Sequence, residues 1–459
     1  MELSLLLYIL PPVLGIILVL LTRKPILSLT IAAISGLFIL YGFTLNLFSQ
    51  SFNIIVKILS DPWNVKLILG LLILGGFIGV VEKVIQNKDI KLTKFFHSKK
   101  RVLMIGWISG LFLFIDDYFN ILLNGVFLNS LTKKHKISKA KLAFIIHSLG
   151  VSACVLIPFS TWTIYIISII KNLNLTQSSF SIYLNSIPYN FYAISLVLIT
   201  MAVILYEINI LKMKQEEQTS IVEKSVKSKE TTTIKELLFP AVFLIASSLV
   251  FILVNLIYLF TKQGISSLSE VLSSLNFANI LLASAVTGTL FVSFYYYKRN
   301  IRINSMKNSF LFGTKQMFSA ILILFLAWLL GEITFRLGTA NIIIDLSKDI
   351  ITPSFMILIS FILAAVMAFM TSSWATFAIV IPILLPLGIG YGINPSLVLA
   401  AVVSGGVFGD HNSPVSSTSI LTKAVSKVDI NDHFHTQLPY SAIAFVISGY
   451  LFFLMGVIK

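Results

Sequence analysis

Two short polar stretches interrupt an otherwise lipid-soluble chain, and they hold the residues equipped for chemistry. "FGDHNSPVSST" (408–418) follows directly on "SLVLAAVVSGGV", and "FIDDYFN" (114–120) sits inside "VLMIGWISGLFLFIDDYFNILLNGVFLNSL". In the first, Gly405, Gly406, Gly409 and Pro414 are expected to break a helix at membrane depth. Unwound backbone survives there only where it is buried in protein or lines a watery cavity. Freed carbonyls with Asp410, Asn412, Ser413 and Ser416 make a hard-oxygen environment that suits a small hard cation such as Na+, with Asp410 and Asn412 as its direct ligands. His411 titrates in the physiological range and can relay protons. A carboxylate at mid-membrane costs about 2.5–3.5 kcal/mol on the insertion scale. That cost favours a working site over a simple capping pair of Asp410 with His411.

Asp116 and Asp117 are adjacent, so on a regular helix one can face a site while the other caps or pairs. Two buried carboxylates in close range titrate as a unit, and one of them can then trade a proton for a cation. Thr371, Ser372, Ser373 and Thr376 of "TSSWATF", with Ser160 and Thr161 of "PFSTW", offer hydroxyls at two further expected breaks. Bonding of those hydroxyls to nearby backbone is an equal alternative. Glu332 and Arg336 have the spacing of an intrahelical ion pair; the pair reads as structural, with Glu332 kept as a possible lining residue. His147 lies in a span, where a lone histidine is usually a packing residue, and it too is kept as possible lining. Glu82 reads as solvated. His97, His135, His433 and His435 are placed in loops and given no role.

The surrounding elements follow from composition. Of 459 residues, 57% are hydrophobic and 12% charged, and mean hydropathy is +0.93; a soluble domain is nearer 45–50% apolar and about 25% charged. Apolar runs of about 20 residues recur, each long enough to cross a bilayer. The fold class is therefore an all-α polytopic membrane protein. "LSLLLYILPPVLGIILVLL" reads as a first span rather than a removed leader. The single cysteine, Cys154, excludes an intrachain disulfide and reads as a small buried residue. The net charge of +15 sits in short loops, which the positive-inside rule explains without nucleic acid as a partner. No Walker A, HExxH or nucleotide-binding glycine loop is present. An intramembrane enzyme built on Asp410 and His411 would lack a nucleophile or metal triad. No cofactor is called for.

Basic clusters orient the spans. "RK" at 23–24 is inside, a span at about 25–48 leads out, and one at about 64–83 returns to "NKDIKLTKFFHSKKR". The "FIDDYFN" stretch has basic residues at both ends and is too short for two crossings, so it reads as a re-entrant or broken-helix hairpin. Residues 142–170 cross once with a break near "PFSTW", and 186–207 returns. The polar segment 212–235 reads as a mobile cytoplasmic linker. The second half repeats the order, with spans at about 236–262, 276–297 and 317–337, a broken segment at 354–390, then 396–422 and 440–458. "LAFIIHSLGVSACVLIPFST" (142–161) echoes "LAAVVSGGVFGDHNSPVSST" (399–418), and "GFIGVVEK" echoes "AWLLGEIT". Each element then runs opposite to its counterpart, the inverted-repeat plan of secondary transporters. The chain divides into a transmembrane repeat at 1–207, a linker at 208–235 and a second repeat at 236–459.

The pieces "FIDDYFN", "KISKAKLAFII", "PFSTW", "AWLLGEITFRLGTA", "TSSWATFAIVIPI", "FGDHNSPVSSTSIL" and "HTQLPY", in that order, resemble the NhaC-type Na+/H+ antiporter family of the ion-transporter superfamily. The resemblance implies secondary active transport in the cytoplasmic membrane, Na+ out for H+ in, by a two-repeat fold with helical hairpins. Its implied partners are Na+, H+ and the lipid bilayer, and it leaves room for a homodimer. One departure stands out. In "HSLGVSAC", His147 occupies the position where that family usually has an aspartate. Relatives of this architecture also exchange organic acids or amino acids against cations, so organic-solute exchange stands as the alternative cargo.

Overall fold

A computed structural model describes residues 2–85, 89–90, 98–173, 175–219, 231–232, 234–262, 274–347 and 351–457. His97 and residues 220–230 of the polar segment lie outside them. Apart from a two-residue bridge, Asp89–Ile90 to Thr231–Thr232, the described elements are helices. The first half comprises α1 (Glu2–Thr22), α2 (Pro25–Tyr41), α3 (Leu45–Ser60), α4 (Pro62–Ile85), α5 (Lys99–Phe112), α6 (Asp117–His135), α7 (Lys139–Leu156), α8 (Thr161–Lys171), α9 (Ser179–Ser186), α10 (Phe191–Tyr206) and α11 (Lys212–Thr219). The second comprises α12 (Ile234–Lys262), α13 (Phe277–Tyr297), α14 (Ile303–Leu337), α15 (Thr339–Ser347), α16 (Pro353–Met370), α17 (Ser373–Gly390), α18 (Pro395–Asn412), α19 (Ser417–Ser426) and α20 (Ile430–Val457). Eight described helices are long and apolar enough to cross a membrane, or nine if the pair bent by 42° at Asn190 counts as one span.

Local chemistry explains the starts and stops. Proline opens α2, α4, α16 and α18, where its missing N–H would be unsatisfied in any case. Ser160 and Ser416 cap α8 and α19, each accepting a backbone N–H three residues on. Gly338, at φ 64, turns the chain off the end of α14.

The repeats are inverted. The broken pair α5–α6 corresponds to α16–α17, the interrupted span α7–α8 to α18–α19, and α10 to α20. Helices α4 and α14 carry the echoed Glu82 and Glu332 and pack on each other. Two glycine seams allow backbone contact. Gly75 and Gly79 of α4 meet Gly313 of α14, and Gly405 and Gly409 of α18 meet Phe361 and Ala365 of α16. This is the small-xxx-small packing that stands in for hydrophobic driving force inside lipid.

Several expectations need correction. Gly405, Gly406 and Gly409 do not break α18, which runs unbroken to Asn412; the break is at 413–416. Those glycines provide close approach instead. The expected span at 25–48 ends at Tyr41, and a separate helix follows. Its residues Leu45, Phe48, Phe52, Val56 and Leu59 form an exposed stripe, while Ile54 and Ile58 pack inward. His433 and His435 lie in the first turns of α20 rather than in a loop.

The start of the segment read as a mobile linker is helix α11, and it is docked. Glu217 pairs with Lys99 and with Lys141 (3.3 Å) and accepts the Ser138 N–H at 3.0 Å. Lys212 pairs with Asp432. Burial acts to raise the Glu217 pKa, but the Lys99 and Ser138 hydrogen bonds and the Lys141 charge outweigh it and hold the carboxyl below its ordinary 4.5. A carboxylate held low stabilises the docked helix above that value and loses the contribution as pH falls below it. Glu217→Gln is therefore expected to speed amide hydrogen exchange over 212–219 at pH 7. Wild type should match it only once acidification carries the pH through the lowered Glu217 pKa, below 4.5.

Candidate functional site

Asp410 lies in the last turn of α18, 2% exposed. Its Oδ1 accepts the N–H of Ser373 at 3.2 Å, and its Oδ2 accepts the Thr418 hydroxyl at 2.7 Å. The helix start at the tip of hairpin α16–α17 and the first turn of α19 thus converge on one carboxylate. The first repeat does the analogous thing with different parts. Thr161, in the first turn of α8, donates to Asp116 Oδ2 at 2.9 Å, and its N–H reaches the Ile115 carbonyl at the tip of hairpin α5–α6.

The adjacent aspartates divide their tasks. Asp116 caps α6, its Oδ1 accepting the Phe119 N–H at 3.1 Å. Asp117 is 1% exposed, and its Oδ1 has no hydrogen-bond partner among the described residues. Its helix α6 packs against α19, whose Thr418 donates to Asp410. Tyr165 of α8 donates to the Trp374 carbonyl at 2.9 Å, and Trp162 stands edge-on to Phe377, so the second hairpin is fastened against α8. The hydroxyls of Thr376 and Ser413 are likewise buried without a partner. Buried polar atoms are normally satisfied; orphan oxygens in the segments around a carboxylate pair are what a hydrated or cation-holding site needs.

Other candidates serve the scaffold. Asn412 donates to the Phe408 carbonyl at 2.9 Å and accepts from Ser441 at 2.6 Å, so both ends of its amide are engaged away from Asp410. Thr371 bonds back to the Met367 carbonyl at 2.9 Å, and Ser372 caps α17. Ser160 and Ser416 are caps, as above. Ser416 also touches the Thr418 hydroxyl at 3.0 Å. Glu332 is bound to Arg336 at 2.8 Å and Lys57 at 3.1 Å, on helices that do not form the carboxylate site. Its intrahelical pairing with Arg336 was legible from the spacing; Lys57 was not.

His411 does not pair with Asp410. It points away, accepting or donating to Ser148 at 3.1 Å and Tyr192 at 2.8 Å. His147 is fully buried beside it, ring centroids 4.7 Å apart, and contacts His433 at 3.0 Å and Thr418 at 3.1 Å. Sequence reasoning missed Thr418 and His433. Thr418 ends the quoted "VSST", and His433 lies two residues before "HTQLPY" with Gln437 four residues on, one helical turn away. A helical reading of 430–440 would have exposed that pair. Among the described residues no three His, Cys, Asp or Glu side chains are arranged as metal ligands.

The sequence profile described as "Na+/H+ antiporter family" matches residues 153–457. An uncharacterized protein of Haemophilus influenzae is 29% identical over 97% of this chain and 91% of its own length. The malate-2H+/Na+-lactate antiporter of Bacillus subtilis is 32% identical, over 33% of this chain and 32% of that protein. The fold is similar to that of the YdaH transporter of Alcanivorax borkumensis, with a TM-score of 0.58 and 12% identity, covering 89% of this chain and 88% of that one.

Proposed function

The chain belongs to the Na+/H+ antiporter family, and from that premise we propose that it exchanges cytoplasmic Na+ for external H+ across the cytoplasmic membrane by alternating access. One observation carries the reading. Asp117 and Asp410 come from opposite repeats, lie buried on helices that meet at α19, which packs on α6 and gives Asp410 its Thr418 hydroxyl, and form no ion pair with lysine or arginine among the described residues. A buried charge without a counter-ion is costly, so such a carboxylate holds either a proton or a cation. Competition of H+ and Na+ for the same oxygens couples the two fluxes. Asp410 and Asp117 are the exchanging groups, with the hydroxyls of Thr376, Ser413 and Thr418 as neutral ligands. Asp116 positions α6. Rocking of one repeat against the other exposes the pair to alternate sides.

The test uses purified protein in proteoliposomes with a pH-sensitive dye inside and no organic solute. An external Na+ pulse is expected to make the lumen more alkaline as H+ leaves against entering Na+. Silence from well-inserted protein would remove the reading.

A second reading keeps the fold and changes the cargo to a small organic acid, exchanged against Na+ or H+. The replacement of an expected acid by His147 favours it, as do three helix N-termini at the breaks, α8, α17 and α19, whose dipoles suit a carboxylate. Vesicles that respond to Na+ only when loaded with a dicarboxylate would select it.

A further inference from the structure

Three histidines of this chain lie in one buried cluster, and the exchange of ions at Asp410 does not by itself use them. His433 sits in the first turn of α20, at the lysine-rich end that the positive-inside rule makes cytoplasmic. It is 1% exposed. Its Nε2 lies 3.0 Å from His147 Nδ1, His147 Nε2 lies 3.1 Å from Thr418 Oγ1, and Thr418 Oγ1 donates to Asp410 Oδ2 at 2.7 Å. Every link is within hydrogen-bonding distance.

We propose that His433, His147 and Thr418 form a proton path between the cytoplasmic end of the protein and Asp410; it rests on the reading of Asp410 as the exchanging carboxylate. One set of tautomers satisfies all three bonds in a single direction. His433 Nε2–H donates to His147 Nδ1, His147 Nε2–H donates to Thr418 Oγ1, and the Thr418 hydroxyl donates to Asp410. His433 Nδ1 is then the acceptor at the far end of the path, a buried ring nitrogen without a hydrogen-bond partner among the described residues. A proton arriving on that nitrogen displaces one from Nε2 to His147, one from His147 Nε2 to Thr418, and one from Thr418 to Asp410 Oδ2. One proton enters, one arrives, and each imidazole changes tautomer with no net charge left on the path. The reverse sequence releases the Asp410 proton to the cytoplasm when Na+ takes its place, which is the direction the proposed exchange requires.

The surroundings suit this use. His411 of α18 faces His147 but is tied to Ser148 and Tyr192, so it flanks the path without joining it. Gln437 of α20 bonds the His411 carbonyl. At the His433 end of α20 the Asp429 backbone carbonyl accepts the His433 backbone N–H, and the Asp432 side chain is held by Lys212 of α11. Asp432 immediately precedes His433 in the chain. His147 thus gains a role from its position: where an acid would bind a cation directly, a histidine connects Asp410 to bulk protons.

The test separates proton delivery from cation binding. His433→Gln and His147→Gln keep amide groups for hydrogen bonding but cannot shuttle a proton at neutral pH. Each is measured in proteoliposomes for Na+-driven proton flux and, separately, for exchange of radioactive Na+ against unlabelled Na+. Both variants are expected to lose proton flux by roughly 100-fold, the scale of a positioned acid–base group, with Na+–Na+ exchange within about twofold of wild type. The residual proton flux should show a larger solvent deuterium isotope effect than wild type. Equal loss of both fluxes would make the histidines structural and overturn the path. So would full proton flux in the variants, since protons would then reach Asp410 by another route. A wild type that exchanges Na+ for Na+ but moves no protons would instead remove the Na+/H+ reading, and the path with it.

Discussion

Asp410→Asn is expected to reduce Na+-driven proton flux to background, a loss of roughly 100-fold or more, while the protein still inserts and elutes as a single species. The substitution preserves volume, and its amide oxygen can still accept the Ser373 N–H that now reaches Oδ1 at 3.2 Å. What disappears is the negative charge and the site for an exchangeable proton. Thr418, which donates to Oδ2 at 2.7 Å, must turn its hydroxyl and accept from the new amide instead. The hairpin tip and α19 therefore stay joined through residue 410 while the chemistry stops. Flux from vesicles at matched protein density checks this, with thermal stability of the same preparation confirming a folded variant. Normal exchange by the variant would remove Asp410 from the mechanism.

Gly409→Val is expected to fail one step earlier, at folding. A Cβ on Gly409 would stand 2.3 Å from the Ala365 carbonyl oxygen and 2.6 Å from the Phe369 N, both backbone atoms of α16. Backbone cannot yield as a flexible side chain can, so α16 and α18 must separate. Overpacking a tight interior costs typically 1–3 kcal/mol, and this contact belongs at or above about 3 kcal/mol because no rotamer relieves it. Separation would also draw the tip of hairpin α16–α17, with Ser373, away from the neighbouring Asp410. The expected readings are a fall in yield of monodisperse protein and a melting temperature lowered by several degrees. Gly331→Ala, where the new Cβ would meet only the Leu173 side chain at 3.6 Å, should behave as wild type. Equal stability of the two variants would contradict the seam.

Much of this was legible in the sequence, and for a definite reason. Hydropathy and charge are local properties, and the bilayer converts them into geometry by fixing span length and lysine placement. The polytopic fold, the short hairpin around Asp116 and Asp117, the break at "TSSW" and the interrupted span near 157–160 all follow from counting along the chain, whereas the second interruption was expected from Gly405 onward and lies at 413–416. The division between Asp116 as a cap and Asp117 as a buried carboxyl whose Oδ1 has no partner among the described residues was one of two arrangements that helical geometry permits.

Tertiary structure decided which side chains meet. Glycine reads the same in sequence whether it breaks a helix or admits a neighbour's backbone, so the role of Gly405 and Gly409 became clear only with α16 in place. The partner of Asp410 is Thr418 rather than His411 because the break at 413–416 sets the rotational phase of α19, a quantity that residue types do not encode locally. His147 and His433 are 286 residues apart in the chain and 3.0 Å apart in space. Such a contact depends on how two inverted repeats dock, which is set by packing complementarity along whole helices. No pattern near either histidine could announce it.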